Sequence, residues 1–202
     1  IDQDMEIIRQ LGVEILYNQR AGRDFTIADL RSQGFKYIVI GVGAQRGRTL
    51  GVDGEKSAGV LDALEFLRNS KEGHPPALGA RIGVIGGGDV AMDCARTAWR
   101  LTGAKVTIIY RRTMDEMPAA REEIVGALEE GVELIELVKP VRVEARDGKM
   151  TGLVGLRMKL GEKDSSGRRR PVDIPGSEFV IPLDNLLVAI SQEPELDFLH
   201  PI

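Results

Sequence analysis

The chain has 202 residues, 43% of them hydrophobic and 29% charged, with a formal net charge of −4. That length holds one large domain or one and a half smaller ones, and the acidic balance argues against nucleic acid as a general partner, because phosphate neutralisation needs a basic surface. No apolar run reaches the roughly 18 residues of a membrane span, no signal peptide is visible, and the single cysteine, Cys94, cannot form an internal disulfide, which suits a reducing cytoplasm.

In chain order, residues 5–11 read as a helix end closing at Gly12, 13–17 as a strand, 25–33 as a short helix with Thr26 as N-cap, and 37–41 as a second strand. Gly41-Val42-Gly43-Ala44-Gln45-Arg46-Gly47 then follows like a nucleotide turn. The RTLGVDGEKSAGV beyond it is loop-like, so it offers no helix N-terminus to a phosphate. It reads as a strand-to-linker crossing. Residues 60–69 look helical, and SKEGHPPALGA is a linker whose His74, beside two prolines, reads as exposed rather than catalytic.

Residues 81–112 organise the rest. A run of β-formers at 81–86 meets Gly86-Gly87-Gly88-Asp89-Val90-Ala91, and Val90, Ala91, Cys94, Ala95, Ala98 and Leu101 then share one helical face. Thr102-Gly103 ends that helix, and 105–110 is another buried-looking strand. Strand, glycine turn, helix and strand within about thirty residues is the setting in which Gly-x-Gly-x-x-Gly/Ala means dinucleotide binding. Gly86 permits the tight turn, Gly88 lets a pyrophosphate approach the backbone, and Ala91 is small enough for close helix–sheet packing. Cys94, on the apolar face, reads as a small core residue.

An NAD site usually carries Asp or Glu at the end of the second strand, about 20 residues past the glycines. Here stand Tyr110-Arg111-Arg112. Two guanidiniums suit a 2′-phosphate, so the cofactor reads as NADP(H); the alternative is a solvated basic loop. Thr113 and Glu116 have capping-box spacing, a helix over 119–130 stops at Gly131, and 132–138 completes β-α-β-α-β. Charged residues on that helix read as a solvated face, with Arg121 a weaker candidate near the adenosine end. Strands at 141–146 and 150–160 flank the hairpin signal Asp147-Gly148. GEKDSSGRRRP reads as a polar loop with Arg168, Arg169 and Arg170 at a solvated tip. Strands at 177–181 and 186–190 follow, Ser191-Gln192-Glu193-Pro194 breaks the last, and His200 carries no argument.

The segment VIGGGDVAMDCARTAWRLTGAKVTIIYRRTMDEMPAAREEIVGALEEGVELI resembles the NADPH-binding domain of the glutamate synthase small (beta) subunit family, NADPH-dependent FAD/iron–sulfur oxidoreductases. LGVEILYNQRAGRDFT, YIVIGVGAQRGRTLGVDGE and DNLLVAISQEP are similar to that family's FAD-domain segments around an inserted NADP domain. The resemblance implies that Gly86, Gly87, Gly88, Asp89 and Val90 surround the pyrophosphate, with Ala91 beneath them, and that Arg111 and Arg112 hold the 2′-phosphate. It departs in several ways: the family's FAD phosphate motif, its ribityl-binding Gly-Asp segment and its cluster-ligating cysteines are not in this chain. Ser191 also stands where the family usually has glycine. A fragment of a larger protein, with an incomplete FAD site, is the simplest account. Thioredoxin-reductase-like chemistry within the chain is excluded, since it needs a cysteine pair.

The expected fold is α/β: a Rossmann-like parallel-sheet NADP domain with a β-meander at 77–180, a partial FAD-domain segment at 1–50, a linker with helix at 51–76 and a partial FAD-domain return segment at 181–202. The expected function is hydride transfer from NADPH to FAD and onward to iron–sulfur centres, with no general acid or base, no metal ligands in this chain, and the fragment alone inactive. Partners would be the remaining FAD-domain and iron–sulfur segments or a large partner subunit, with self-association through exposed FAD-domain remnants. The alternative is a non-catalytic NADP(H)-binding module of a larger complex.

Overall fold

The computed structural model describes residues 2–165 and 167–199; His200 and Ser166 of the polar loop lie outside them. The chain divides into two compact units, one made of the residues up to 44 and from 194 on, the other of Gln45–Glu193.

The first unit contains helices α1 (Asp2–Gln10) and α2 (Ile27–Ser32). Gly12, at φ 79°, closes α1 with its amide on the Arg9 carbonyl at 2.9 Å. At α2, Thr26 Oγ1 accepts from the Asp29 amide at 3.2 Å, and Asp29 returns an oxygen to the Thr26 amide at 2.8 Å. Each satisfies a donor that the first turn leaves unpaired. The strands expected at 13–17 and 37–41 do not form. A strand needs a neighbour for its ladder, and none of the described segments pairs with either. Tyr37 and Val39 remain 90% and 94% exposed.

The second unit runs β1 (Arg46–Gly47), β2 (Val60–Asp62), α3 (Ala63–Lys71), β3 (Arg81–Ile85), α4 (Asp89–Thr102), β4 (Lys105–Ile109), α5 (Arg121–Glu129), β5 (Glu133–Ile135), β6 (Val138–Arg146), β7 (Lys149–Lys163), β8 (Arg169–Pro182), β9 (Asn185–Val188) and β10 (Gln192–Glu193). Its centre is a parallel sheet in the order β2-β9-β3-β4-β5. Side chains alternate across it. Ile82, Val84, Ile108 and Leu187 pack with Phe66, Met92, Ala95, Ala98 and Ile124 of the three helices. Ile85, Ile109 and Leu186 face the other way, onto Val143, Met150, Leu153 and Ile181 of the antiparallel sheet β6-β7-β8. Both faces of the central sheet are therefore covered, which is why its strands read as continuous apolar runs rather than alternations.

Several boundaries differ from the sequence reading. The 60–69 segment is a strand followed by a helix: Asp62 ends β2 and caps α3, accepting from the Glu65 amide at 2.9 Å. Residues 185–188, assigned to a return segment beyond 180, are a central strand between β2 and β3. All four are buried, and only a central position covers such a strand on both faces. Residues 60–62 and 185–188 therefore belong with the Rossmann-like unit. The polar loop is also shorter than read, because β7 extends to Lys163 and β8 starts at Arg169. At the opposite end of β7, Asp147 and Gly148 both adopt positive φ, 52° and 77°, the geometry of a two-residue hairpin turn.

Helix α4 stops at Gly103, whose left-handed φ of 62° suits a residue without Cβ. Glu130 ties α4 to the end of α5 by pairing with Arg96 at 2.8 Å and with Arg100.

Candidate functional site

Ligands of open α/β sheets bind beyond the carboxyl ends of the strands. Here that edge is the turn after β3, and its three glycines face three different surroundings. Gly86 has φ 149°, and a Cβ on it would lie 2.3 Å from the Ala189 carbonyl oxygen just past β9 and 3.1 Å from the Ala91 Cβ. A Cβ on Gly87 would lie 2.5 Å from the Tyr110 ring. At Gly88 the nearest atom is Pro118 Cγ, 3.9 Å away, and φ is −95°. The protein itself thus explains the first two glycines, while the third leaves an open approach. Ala91 is fully buried under the turn.

Gly88 is also the N-cap of α4 and offers no side-chain oxygen to the helix. The amides of Asp89 and Val90 meet no acceptor among the described residues. Together with the positive end of the helix dipole they form an anion-receptive surface. The Asp89 carboxylate is occupied elsewhere, accepting from the Ala120 amide at 2.9 Å. The Ala119 amide donates to the Gly87 carbonyl at 3.1 Å, and the Tyr110 hydroxyl donates to the Glu116 carbonyl at 3.0 Å. The connection between β4 and α5 is thereby strapped across the glycine turn, its own start fixed by the Thr113–Glu116 capping box. One turn along α4, the Asp93 carboxyl is pushed up by partial burial and then by the charges of Glu123 and Asp89. An anion is better placed on the Gly88 side of the helix than on that one.

β4 pairs in parallel with β3, matching Ile109 to Ile85, so Tyr110, Arg111 and Arg112 leave the sheet beside the glycine turn. The two arginines have different surroundings. Arg111 is exposed and has no partner among the described residues. Arg112 is 5% exposed; its Nε donates to the Arg169 carbonyl at 2.7 Å, and Nη2 lies 2.9 Å from Asp164 Oδ2. Arg121 opens α5, 4.0 Å from the Asp115 carboxylate. Arg46 and Gly47, from the glycine-rich crossing, pair antiparallel with Glu193 and Gln192. His74 is exposed in its loop. Cys94 is buried against the Ala63 carbonyl, 3.6 Å from Sγ, and burial pushes its thiol pKa strongly up. No group of three or more His, Cys, Asp or Glu side chains that could hold a metal occurs among the described residues, and no helix among them is long and apolar enough to cross a membrane.

Four contributors escaped sequence reasoning: Ala189, Tyr110 as the floor of the turn, the 116–120 strap, and the Asp164–Arg169 tip. Only Tyr110 carried a local signal, an aromatic residue where an outward-facing strand end would ordinarily be polar.

A parallel sheet whose inner strand runs into a glycine turn and a helix N-terminus defines a Rossmann-like α/β unit. The chain belongs to the pyridine nucleotide-disulphide oxidoreductase family, whose model matches residues 3–201. It is similar to the NADPH-Fe(3+) oxidoreductase subunit beta of Geobacter sulfurreducens, with 41% identity over 203 residues, covering 98% of this chain and 30% of that protein. It is also similar to the glutamate synthase [NADPH] small chain of Escherichia coli, 37% identical over 201 residues and covering 94% and 42% of the two chains. The resemblance to the glutamate synthase small subunit therefore holds, and the chain spans less than half the length of these relatives. In fold it matches FprA, an oxidoreductase of Mycobacterium tuberculosis, with a TM-score of 0.68 at 21% identity over 87% of this chain and 54% of that one.

Proposed function

We propose that this chain is the NADP(H)-binding part of a flavin-dependent oxidoreductase that passes hydride from NADPH to FAD and electrons on to iron–sulfur centres. The observation that carries the reading is the open approach at Gly88, where a helix N-terminus faces outward beside Arg111, its first amides and that guanidinium without partners among the described residues. In this reading the backbone from Gly86 and Gly87 through Gly88, Asp89 and Val90 receives the pyrophosphate, Ala91 keeps the helix close beneath it, and Arg111 with Arg112 selects the 2′-phosphate. When bound, the nicotinamide and flavin supply the redox chemistry, while the protein positions them. No side chain of this chain is assigned as an acid, base or metal ligand.

Residues 1–50 and those after 193 would be pieces of an FAD domain completed by further segments of the full-length protein or by a large partner subunit, in the cytoplasm. Leu16, Tyr37 and Val39, exposed in the first unit, support that reading, since apolar patches of this kind mark surfaces that are covered by another element or that associate. Calorimetric titration tests the nucleotide assignment. NADPH and 2′,5′-ADP should bind, and NADH should bind more weakly by the roughly ten- to hundredfold that a charge-assisted phosphate contact provides. Equal affinity for NADPH and NADH would overturn the 2′-phosphate assignment, and binding of neither would overturn the site.

A further inference from the structure

The two arginines that end the Tyr110-Arg111-Arg112 run do not have equivalent roles in the fold. The backbone on either side of Arg111 is held firmly: the Tyr110 carbonyl accepts from the Val138 amide at 3.0 Å and the Arg112 carbonyl from the Leu137 amide at 3.2 Å. Leu137, at φ 58°, makes the tight turn into β6, and its own carbonyl accepts from the Met158 amide of β7 at 2.7 Å. The Arg112 side chain completes this junction by gripping both sides of the β7–β8 tip, Asp164 on one and the Arg169 carbonyl on the other. Its charge is compensated by a carboxylate at 2.9 Å, and its side chain is nearly withdrawn from solvent. A guanidinium so engaged offers little attraction to a phosphate, and turning it outward would take the paired cation away from the Asp164 carboxylate, which also accepts from the Arg168 amide at 3.3 Å, and leave that negative charge beside the incoming anion.

We propose that Arg112 is a positioning residue: through Asp164 and the Arg169 carbonyl it clamps the β7–β8 arm to the end of β4, and the clamped junction presents Arg111 as the side chain that meets the 2′-phosphate. This rests on the nucleotide reading above and revises the part of it given to Arg112. The arm, more than fifty residues away in sequence, thereby becomes part of the selectivity for NADPH over NADH.

Asp164→Asn separates the two roles because they predict opposite signs. If Arg112 were itself a phosphate ligand, removing its competing carboxylate would free it and take a negative charge away from the phosphate, so NADPH would bind more tightly. If Arg112 acts through the clamp, the same change loosens the junction and NADPH binding weakens, up to the roughly tenfold or more that the Arg111 contact can provide. Titrations of the intact protein with NADPH and NADH, for wild type, Asp164→Asn, Arg111→Ala and the double variant, give the readout. The expected result is a loss for NADPH alone in Asp164→Asn, a larger loss in Arg111→Ala, and no further loss in the double variant, since both act through one contact. NADH binding reports that each variant is folded. Tighter or unchanged NADPH binding in Asp164→Asn, or equal loss of both nucleotides, would overturn the proposal while leaving Arg111 in place. An Arg111→Ala variant that binds NADPH as the wild type does would instead overturn the underlying nucleotide reading.

Discussion

Substituting the three glycines one at a time should separate fold from ligand binding. Gly88→Val adds its side chain where the nearest atom is 3.9 Å away and φ is −95°, so the backbone accepts it without strain. Losing glycine at an N-cap costs about 1 kcal/mol or less, and a stiffer unfolded chain returns about 0.4–1 kcal/mol. Stability should therefore be close to that of the wild type. Its branched side chain nevertheless occupies the approach to the Asp89 and Val90 amides, and two charge-assisted hydrogen bonds at about 1.5–3 kcal/mol each correspond to a loss of roughly 10²–10⁴ in nucleotide affinity. Gly86→Ala behaves differently. The new Cβ would lie 2.3 Å from the Ala189 carbonyl at a φ of 149°, which costs about 1–3 kcal/mol of backbone strain before the steric overlap is counted. Denaturant melts without nucleotide, paired with NADPH titrations, read both quantities. Gly88→Val should melt like the wild type and fail to bind NADPH and NADH alike, while Gly86→Ala should be clearly destabilised. A Gly88→Val variant with an unchanged titration curve would refute the reasoning, because the cofactor would then lie elsewhere.

Other expectations follow from the same structure. Cys94 should react with a small alkylating reagent only after denaturation, given its burial and raised thiol pKa; rapid labelling of the native protein would contradict its place in the core. Asp184 is held below the usual carboxylate range by its hydrogen bond to Arg81, as Glu130 is by Arg96 and Arg100. A depressed folded value contributes stability that is present above the unfolded value, about 3.9 for Asp, and is lost as pH falls through the folded one. Asp184→Asn should therefore flatten the fall of Tm with pH below roughly 4, and an unchanged profile would show that the pair contributes nothing. This chain on its own should purify without flavin, because the glycine-rich segment at 41–47 ends in β1 and is followed by a loop rather than a helix N-terminus. Stoichiometric absorbance near about 450 nm after incubation with FAD and desalting would show a complete flavin site.

What the sequence made legible was local. The β3–α4–β4 run, the Thr26 N-cap, the Thr113 capping box, the Asp147-Gly148 hairpin and the ends at Gly12 and Gly103 all depend on residues within a few positions of one another, and the structure shows each. The strands read at 13–17 and 37–41 failed for the complementary reason. VEILY and YIVIG have the composition of strands, but composition does not provide the neighbour whose N–H and C=O groups complete a ladder. The position of β9 was hidden in the same way. Four buried residues announce a covered strand, yet nothing in Asn185–Val188 says that β2 and β3, a hundred residues earlier, will flank it.

That long-range pairing bears on the candidate site as much as on the sheet. β9 ends at Val188, and its insertion beside β3 puts the Ala189 carbonyl where a Cβ on Gly86 would have to go. The Ala189 amide donates to the Ile85 carbonyl at 2.8 Å, so the last residue before the turn is fixed from the β9 side, while the Gly86 amide donates to Ile109 at 3.3 Å on the β4 side. A glycine motif alone specifies only that the backbone can turn. Here two neighbouring strands, one local and one distant, fix the direction of that turn, and Tyr110 supports it from below. The amides at the start of α4 are consequently aimed before any ligand arrives, and preorganisation of this kind reduces the ordering cost that binding would otherwise carry.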